Sequence, residues 1–105
     1  MNASDKHIQN ELMEQISIVF EDNCNRSTAY IDEKQIGECE YSVSGNVWTI
    51  THTGVRPEYV GRGIAKKLVL KVIEAARNQN AKIVPRCSYA DKLMSGKEEY
   101  RDVLK

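Results

Sequence analysis

Tyr59-Val60-Gly61-Arg62-Gly63-Ile64-Ala65-Lys66-Lys67-Leu68 joins two segments of different side-chain period, and its reading decides the fold. Upstream, Val47 to Val55 is rich in β-branched residues and reads as a strand. Strict alternation puts Val47, Thr49, Thr51, Thr53 and Val55 on one face, and Trp48, Ile50, His52 and Gly54 on the other. After Pro57 the period becomes helical. Ile64, Ala65, Leu68, Val69, Val72, Ile73 and Ala76 form one wide apolar stripe, with Arg62, Lys66, Lys67, Lys71, Glu74 and Arg77 on the other side. In the joint, Gly61 and Gly63 permit positive φ and close approach of backbone to a ligand. The first amides of the helix have no intrahelical acceptor, and the helix dipole favours an anion there. Arg62, Lys66 and Lys67 stand at the end where that dipole disfavours cations, by about 0.3–1 kcal/mol each. A bound polyanion would reverse the penalty, so the segment has the parts of a phosphate cradle. The same residues also fit a tight turn followed by solvated helix formers. A P-loop would need GxxxxGK[ST], which is absent, and a dinucleotide fingerprint would need Gly or Ala where Lys66 stands.

Working outward from the joint, the preceding chain reads as a meander. Ile16, Ile18 and Phe20 alternate with Ser17, Val19 and Glu21, and Asp22-Asn23-Cys24-Asn25 is a polar turn. Ser27 to Ile31 is a short strand, and Asp32-Glu33-Lys34-Gln35 a hairpin turn. In the next strand Gly37, Cys39, Tyr41 and Val43 alternate with Ile36, Glu38, Glu40 and Ser42, and Ser44-Gly45-Asn46 turns back. On the far side of the helix, Asn78-Gln79-Asn80 ends it and Ala81 to Pro85 is a short buried strand. Ser88 with Asp91 three residues on reads as a capping-box-like start, Gly96 breaks that helix, and Glu98-Glu99 suit the first turn of another. Tyr100, Val103 and Leu104 form the packing face of this last helix, and Trp48 reads as core. The expected fold class is α+β: a mostly antiparallel sheet with one long central helix on one face. Strand 47–55, the helix and strand 81–85 make a β-α-β unit whose two strands run parallel. Residues 1–15 are ambiguous, with Ile8, Leu12 and Ile16 at near-helical spacing, and residues 16–105 form a single domain.

Composition narrows the class. The chain has 105 residues, enough for one domain, with 15 Lys plus Arg against 15 Asp plus Glu and a net charge of zero. Broad non-specific binding of nucleic acid or of anionic membrane requires a basic excess, so neither is expected as a partner. No apolar run approaches a membrane helix, and the polar start Met1-Asn2-Ala3-Ser4-Asp5-Lys6 lacks the apolar stretch of a signal peptide. The three cysteines, Cys24, Cys39 and Cys87, are therefore expected as free thiols in a cytoplasmic setting. With no CxxC pair and two histidines, no metal site is expected. The expected oligomeric state is a monomer or weak homodimer.

The ordered motifs of residues 16–105 resemble the GNAT acetyltransferases. A meander, a strand ending in Val or Ile, then (Q/R)xxGxG/A opening a helix is the acetyl-CoA signature of that family. Gly63 and Ala65 match it, and Val60 stands where Gln or Arg is usual. The resemblance is to the minimal single-domain YjdJ-type subgroup. It rests on His52-Thr53-Gly54-Val55, Pro57-Glu58-Tyr59-Val60-Gly61-Arg62-Gly63-Ile64-Ala65, Ile83-Val84-Pro85-Arg86-Cys87-Ser88-Tyr89 and Glu99-Tyr100-Arg101-Asp102-Val103. Ser88 stands where that subgroup often has Pro. The resemblance implies a minimal GNAT-like fold and acetyl-CoA or coenzyme A as cofactor, with an unidentified small or peptide amine as acceptor. It also implies cofactor contacts at Val55, Tyr59, Val60, Gly61, Arg62, Gly63, Ile64, Ala65 and Lys66.

Four residues are candidates for catalysis. Cys87 lies between the last strand and a helix start, beside Arg86, a setting that favours a thiolate. The resemblance puts this cysteine near the pantetheine thiol, where it could take the acyl group. The plainer reading is a buried, inert thiol. His52 could take the acceptor's proton, or be a hydrogen-bonded side chain packed beside Ile50. Glu58 is a second possible base, or merely solvated. The resemblance makes Tyr89 a donor to the leaving thiolate or a ring stacking near the cofactor; the plainer reading is a core tyrosine. Cys24 and Cys39 read as structural. The alternative to acyl transfer is a CoA or acyl-CoA sensor, or a thiol-redox module, acting through Cys87.

Overall fold

The computed structural model describes residues 15–105, so the helical spacing at Ile8 and Leu12 lies outside the described residues. Five strands form one sheet in sequence order: β1 (Ile16–Glu21), β2 (Arg26–Ile31), β3 (Lys34–Ser44), β4 (Val47–Val55) and β5 (Lys82–Pro85). All neighbours are antiparallel except β4 and β5, which are parallel across the long helix α1 (Ile64–Asn78). A short helix, α2 (Ser88–Met94), follows β5. The protein has the expected α+β fold: a mostly antiparallel sheet, a long central helix and a parallel β4-α1-β5 unit.

Helix α1 covers one face of the sheet. It buries Ile64, Leu68, Val69, Val72, Ile73, Ala75 and Ala76, nearly the stripe read from the sequence, while Ala65 stays half-buried at the helix start. Deep in this interface the Ser27 hydroxyl donates to the Leu68 carbonyl at 2.7 Å. At one end of the core Tyr41 and Trp48 stack with ring centroids 4.4 Å apart, and Phe20 lies 6.2 and 6.1 Å from them. Beyond β5, the chain end supplies the sheet's last backbone bonds: the Ile83 amide donates to Val103, and Lys105 donates back to Ile83. This corrects the expected last helix. Glu98–Tyr100 is a single 3-10 turn, and Tyr100 and Val103 are buried under a chain end that runs beside Ile83.

Two strands depart from strict alternation. In β3, Ala29 pairs with Gly37 and Tyr30 with Gln35, so Ile36 is an extra residue, and it is fully buried. In β4, Glu40 pairs with His52 and Tyr41 with Ile50, so Thr51 is extra. A bulge of this kind flips the side-chain parity of the residues beyond it. Trp48 and Ile50 point to α1 before it, and Thr53 and Val55 do so after it. The expected single face Val47–Thr49–Thr51–Thr53–Val55 is therefore broken at Thr51.

The face away from α1 carries a polar network on β1 and β2. The Glu21 carboxylate accepts from Arg26 Nε at 2.7 Å, Thr28 Oγ1 at 2.6 Å and Tyr30 Oη at 2.7 Å. The Thr28 and Tyr30 hydroxyls are the main cause that holds its pKa down at about 2, against an ordinary 4.5. A carboxylate with a depressed native pKa contributes stability that is complete above its unfolded pKa and is lost as pH falls through the native one. Stability should therefore decline between about pH 4.5 and pH 2. Denaturant midpoints for Glu21→Gln should lie below wild type at pH 7 and converge with it near pH 2. A gap of unchanged size at both pH values would contradict this role.

Candidate functional site

The site begins where β4 and β5 part. Their pairing ends at Ile50 and Pro85, and the Ile50 carbonyl accepts both Arg86 N and Cys87 N at 3.0 Å. Residues 51–55 of β4 have no β5 partner beyond that point, leaving a cleft with a free strand edge. The cleft leads to the joint between β4 and α1. There Pro57–Tyr59 forms a 3-10 turn, tied back by Arg56 N donating to Ile36 O at 2.8 Å.

Both joint glycines are in the left-handed region, Gly61 at φ 91° and Gly63 at φ 77°. Side-chain-bearing residues seldom adopt that backbone, which accounts for glycine at both positions. Gly63 is the N-cap of α1. It provides no side-chain cap, and no acidic residue lies in the first turn. The opening amides thus face outward with nothing of the helix's own to neutralise the dipole. A cavity of about 270 Å³ sits in front of them, lined by Val55, Tyr59, Val60, Gly61, Gly63, Ile64, Ala65 and Tyr89. Seven of the nine residues expected to contact cofactor meet there. The other two, Arg62 and Lys66, are exposed outside the cavity lining. The Arg62 guanidinium lies 5.1 Å from the centre of the Tyr59 ring, and Lys34 Nζ approaches the same ring at 5.8 Å. The sequence reading missed Lys34, because only the β3 register brings it to this loop.

Cys87 lies at the mouth of the splay, half-buried. Its sulfur accepts from Ala90 N at 3.3 Å, making it the N-cap of α2, and it lies 3.4 Å from Thr53 Oγ1. This corrects the expected cap at Ser88. Cys87 has the extended backbone of a cap, so Ser88 is already the first helical residue, and Asp91 instead accepts from the Ser95 hydroxyl. Cys39 is fully buried 3.6 Å from Thr53 Oγ1, and burial pushes its thiol up to about 12. Cys24 is exposed.

His52 is on the open face rather than packed beside Ile50, because the Thr51 bulge separates the two. Its Nε2 lies 2.9 Å from Glu38 Oε2, and Gln35 Nε2 donates to the other Glu38 oxygen at 3.2 Å. A Cβ on Gly54 would sit 2.8 Å from Glu38 Oε2 and 2.9 Å from His52 Nε2, so glycine there leaves room for the pair. Glu38 escaped the sequence reading; its register opposite Gly54 depends on the Thr51 bulge. These groups line a second cavity of about 340 Å³, and Val55 borders both cavities. Glu58 is exposed and lines neither. Among the described residues no group of three His, Cys, Asp or Glu side chains could hold a metal ion, and no helix is long and apolar enough to cross a membrane.

Comparison with known proteins identifies this architecture. The model of a family described as GCN5-related N-acetyl-transferase matches residues 26–103. The chain belongs to that family. This acetyltransferase is 33% identical to a GCN5-like protein of Staphylococcus aureus, a candidate N-acetyltransferase solved by NMR, with 89% of each chain covered and a TM-score of 0.65. The fold is also that of the ribosomal-protein-alanine N-acetyltransferase of Brucella melitensis biovar Abortus 2308, at 23% identity, 65% of this chain, 58% of that one and a TM-score of 0.54. The N-acetylglutamate synthase of Neisseria gonorrhoeae, solved with coenzyme A and N-acetyl-glutamate, shares the fold at 18% identity and a TM-score of 0.52, over 79% of this chain and 23% of that one. This chain thus spans less than two thirds of the Brucella and Neisseria proteins. No curated protein matches it.

The cap role of Cys87 has a direct test. Cys87→Ala should cost about 0.5–2 kcal/mol of stability, the usual loss on removing an N-cap, whereas Cys87→Ser should retain most of it. Urea unfolding of the two variants checks this; equal losses in both would show that the sulfur's amide bond contributes nothing.

Proposed function

We propose that this acetyltransferase takes its acetyl group from acetyl-CoA and transfers it to an amine. The observation that carries this reading is the outward-facing, acid-free start of α1, opening onto a cavity that Val55, on the unpaired stretch of β4, also lines. Amides of residues 61–66 would hold the diphosphate, with Arg62 and Lys66 adding positive charge around it. Val55, Tyr59, Val60 and Tyr89 would flank the arm that leads from it. The free N–H groups of β4 beyond Ile50 suit the polarisation of a carbonyl lying along that edge. The bound thioester supplies an activated acyl carbon.

His52 serves as general base. Glu38 holds Nε2 as the protonated nitrogen, which leaves Nδ1 with the lone pair that accepts the amine's proton. Transfer then forms the N–C bond and breaks the C–S bond, and the Tyr89 hydroxyl gives a proton to the departing sulfur. Glu58, exposed outside both cavities, has no part in this sequence. A second reading, in which Cys87 takes the acyl group first, is supported by its sulfur standing in the splay 3.4 Å from Thr53. Cys87→Ser separates the two. Direct transfer predicts a modest change in kcat with ordered kinetics, and the relay predicts near-complete loss with ping-pong kinetics in wild type. Binding of CoA with no turnover of acetyl-CoA by any amine would instead favour a CoA sensor.

Gly63→Val should weaken CoA binding by about 1.5–3 kcal/mol, the range for hydrogen bonds to charged groups. Calorimetry on a variant with a native circular dichroism spectrum checks it; unchanged affinity would remove the loop from the site. The double variant Lys66→Glu, Lys67→Glu should melt no lower than wild type without ligand, because acids suit a helix start. Its stabilisation by CoA should shrink. Full stabilisation by CoA in that variant would show that these lysines make no contribution to binding.

A further inference from the structure

The second cavity lies on the sheet face that α1 leaves open, at the β3–β4 pair, and it combines opposite charges. Glu38 is held from both oxygens, by His52 and by Gln35. Arg56, at the end of β4, lines the same cavity and is exposed, and no described residue pairs with its guanidinium. Gly54 forms the floor between the two, where any side chain would displace the Glu38–His52 pair. A volume of about 340 Å³ is the size of a small-molecule pocket. Through Val55 it adjoins the cavity in front of α1.

We propose that this cavity is the acceptor pocket and that it selects amines carrying a carboxylate within a few bonds of the nitrogen, that is, free amino acids. The inference rests on the acetyl-CoA reading above. A group lying along the free edge of β4 has two sides. The side toward α1 carries Thr53 and Cys87 against the core, and the open side carries His52, so the nucleophile approaches from the side of the base. An amine is drawn to Glu38 as its ammonium ion, loses that proton to solvent, and gives the proton it sheds on attack to His52. A carboxylate on the same molecule meets Arg56, whose planar guanidinium matches it with two parallel hydrogen bonds. A lysine side chain or polyamine brings only the positive group and leaves Arg56 without a partner. Glu38 acts here as a positioning residue, through His52.

The test uses the full chain with acetyl-CoA, following thiol release with standard amino acids, their α-amides and their decarboxylated amines. The expected result is a kcat/KM at least about tenfold higher for an acid than for its amide or its decarboxylated amine, as when a site's charged partner is left unpaired. Arg56→Gln should bring that ratio close to one while CoA affinity by calorimetry stays at the wild-type value. Glu38→Gln should lower kcat for acids and amides alike and leave the ratio intact. Equal rates for acid and amide, a preference for lysine side chains in peptides, or a ratio that survives Arg56→Gln would each overturn the proposal while leaving acetyl transfer standing. Turnover of no amine at all would overturn both readings, and calorimetry with CoA alone then tells whether the cofactor reading falls with them.

Discussion

One carbonyl governs the architecture of the site. Ile50 O accepts two successive amides, Arg86 and Cys87, and so ends the parallel pairing of β4 with β5. Were the pairing to continue, the edge of β4 would be satisfied by β5 and no cleft would exist. One residue later the Thr51 bulge reverses the parity of β4. The strand therefore leaves its neighbour and changes its facing within two residues. The first event frees backbone donors, and the second decides which side chains border them.

The consequence is a strand edge with unlike sides. Toward α1 stand Thr53, the half-buried Cys87 sulfur and, behind them, the fully buried Cys39, whose own burial pushes its thiol up to about 12. On the other side stand His52, Glu38 and Gln35, a hydrogen-bonded set with solvent access. Without the bulge, strict alternation would put Ile50 and His52 on the same face, and an imidazole would point into the apolar interface with α1 at a desolvation cost. The extra residue lets one strand contribute to the core at Trp48 and Ile50 and then present an imidazole to the open face at His52, without a buried charge.

Much of this was legible in the sequence, because it depends on local rules. The period change across residues 55–64 needs no tertiary information, and neither does a Gly-x-Gly pair before an apolar helical stripe. The same holds for the order of strands, since short polar turns force antiparallel neighbours and the helix crossover forces the parallel pair. What was not legible depends on register. Strict alternation put Ile36 on the polar face and Thr51, Thr53 and Val55 on one face, because nothing in the composition of β3 or β4 marks where the extra residue falls. Glu38 could not be matched to His52 for that reason: they are 14 positions apart, and the Thr51 bulge determines their meeting. The cap of α2 failed for a smaller reason. Serine is the commoner cap by propensity, but the extended backbone falls one residue earlier, so the sulfur takes the role.

That substitution of sulfur for oxygen bears on the chemistry. A thiol that accepts an amide hydrogen bond holds the first turn of α2, and α2 in turn presents Tyr89 to the cavity in front of α1. Acylating Cys87 would place an acyl group on the cap atom and disturb the element that carries the proposed proton donor. Direct transfer has no such conflict, since Cys87 then keeps its cap throughout the cycle and Tyr89 keeps its position. The sides of the β4 edge argue in the same direction. An acyl group on Cys87 would lie toward α1, whereas the proposed base pair, Glu38 and His52, stands on the open side. Under the proposed reaction the base, the acceptor and the exposed face of the thioester all lie on one side of β4, and Cys39 and Cys87 lie on the other.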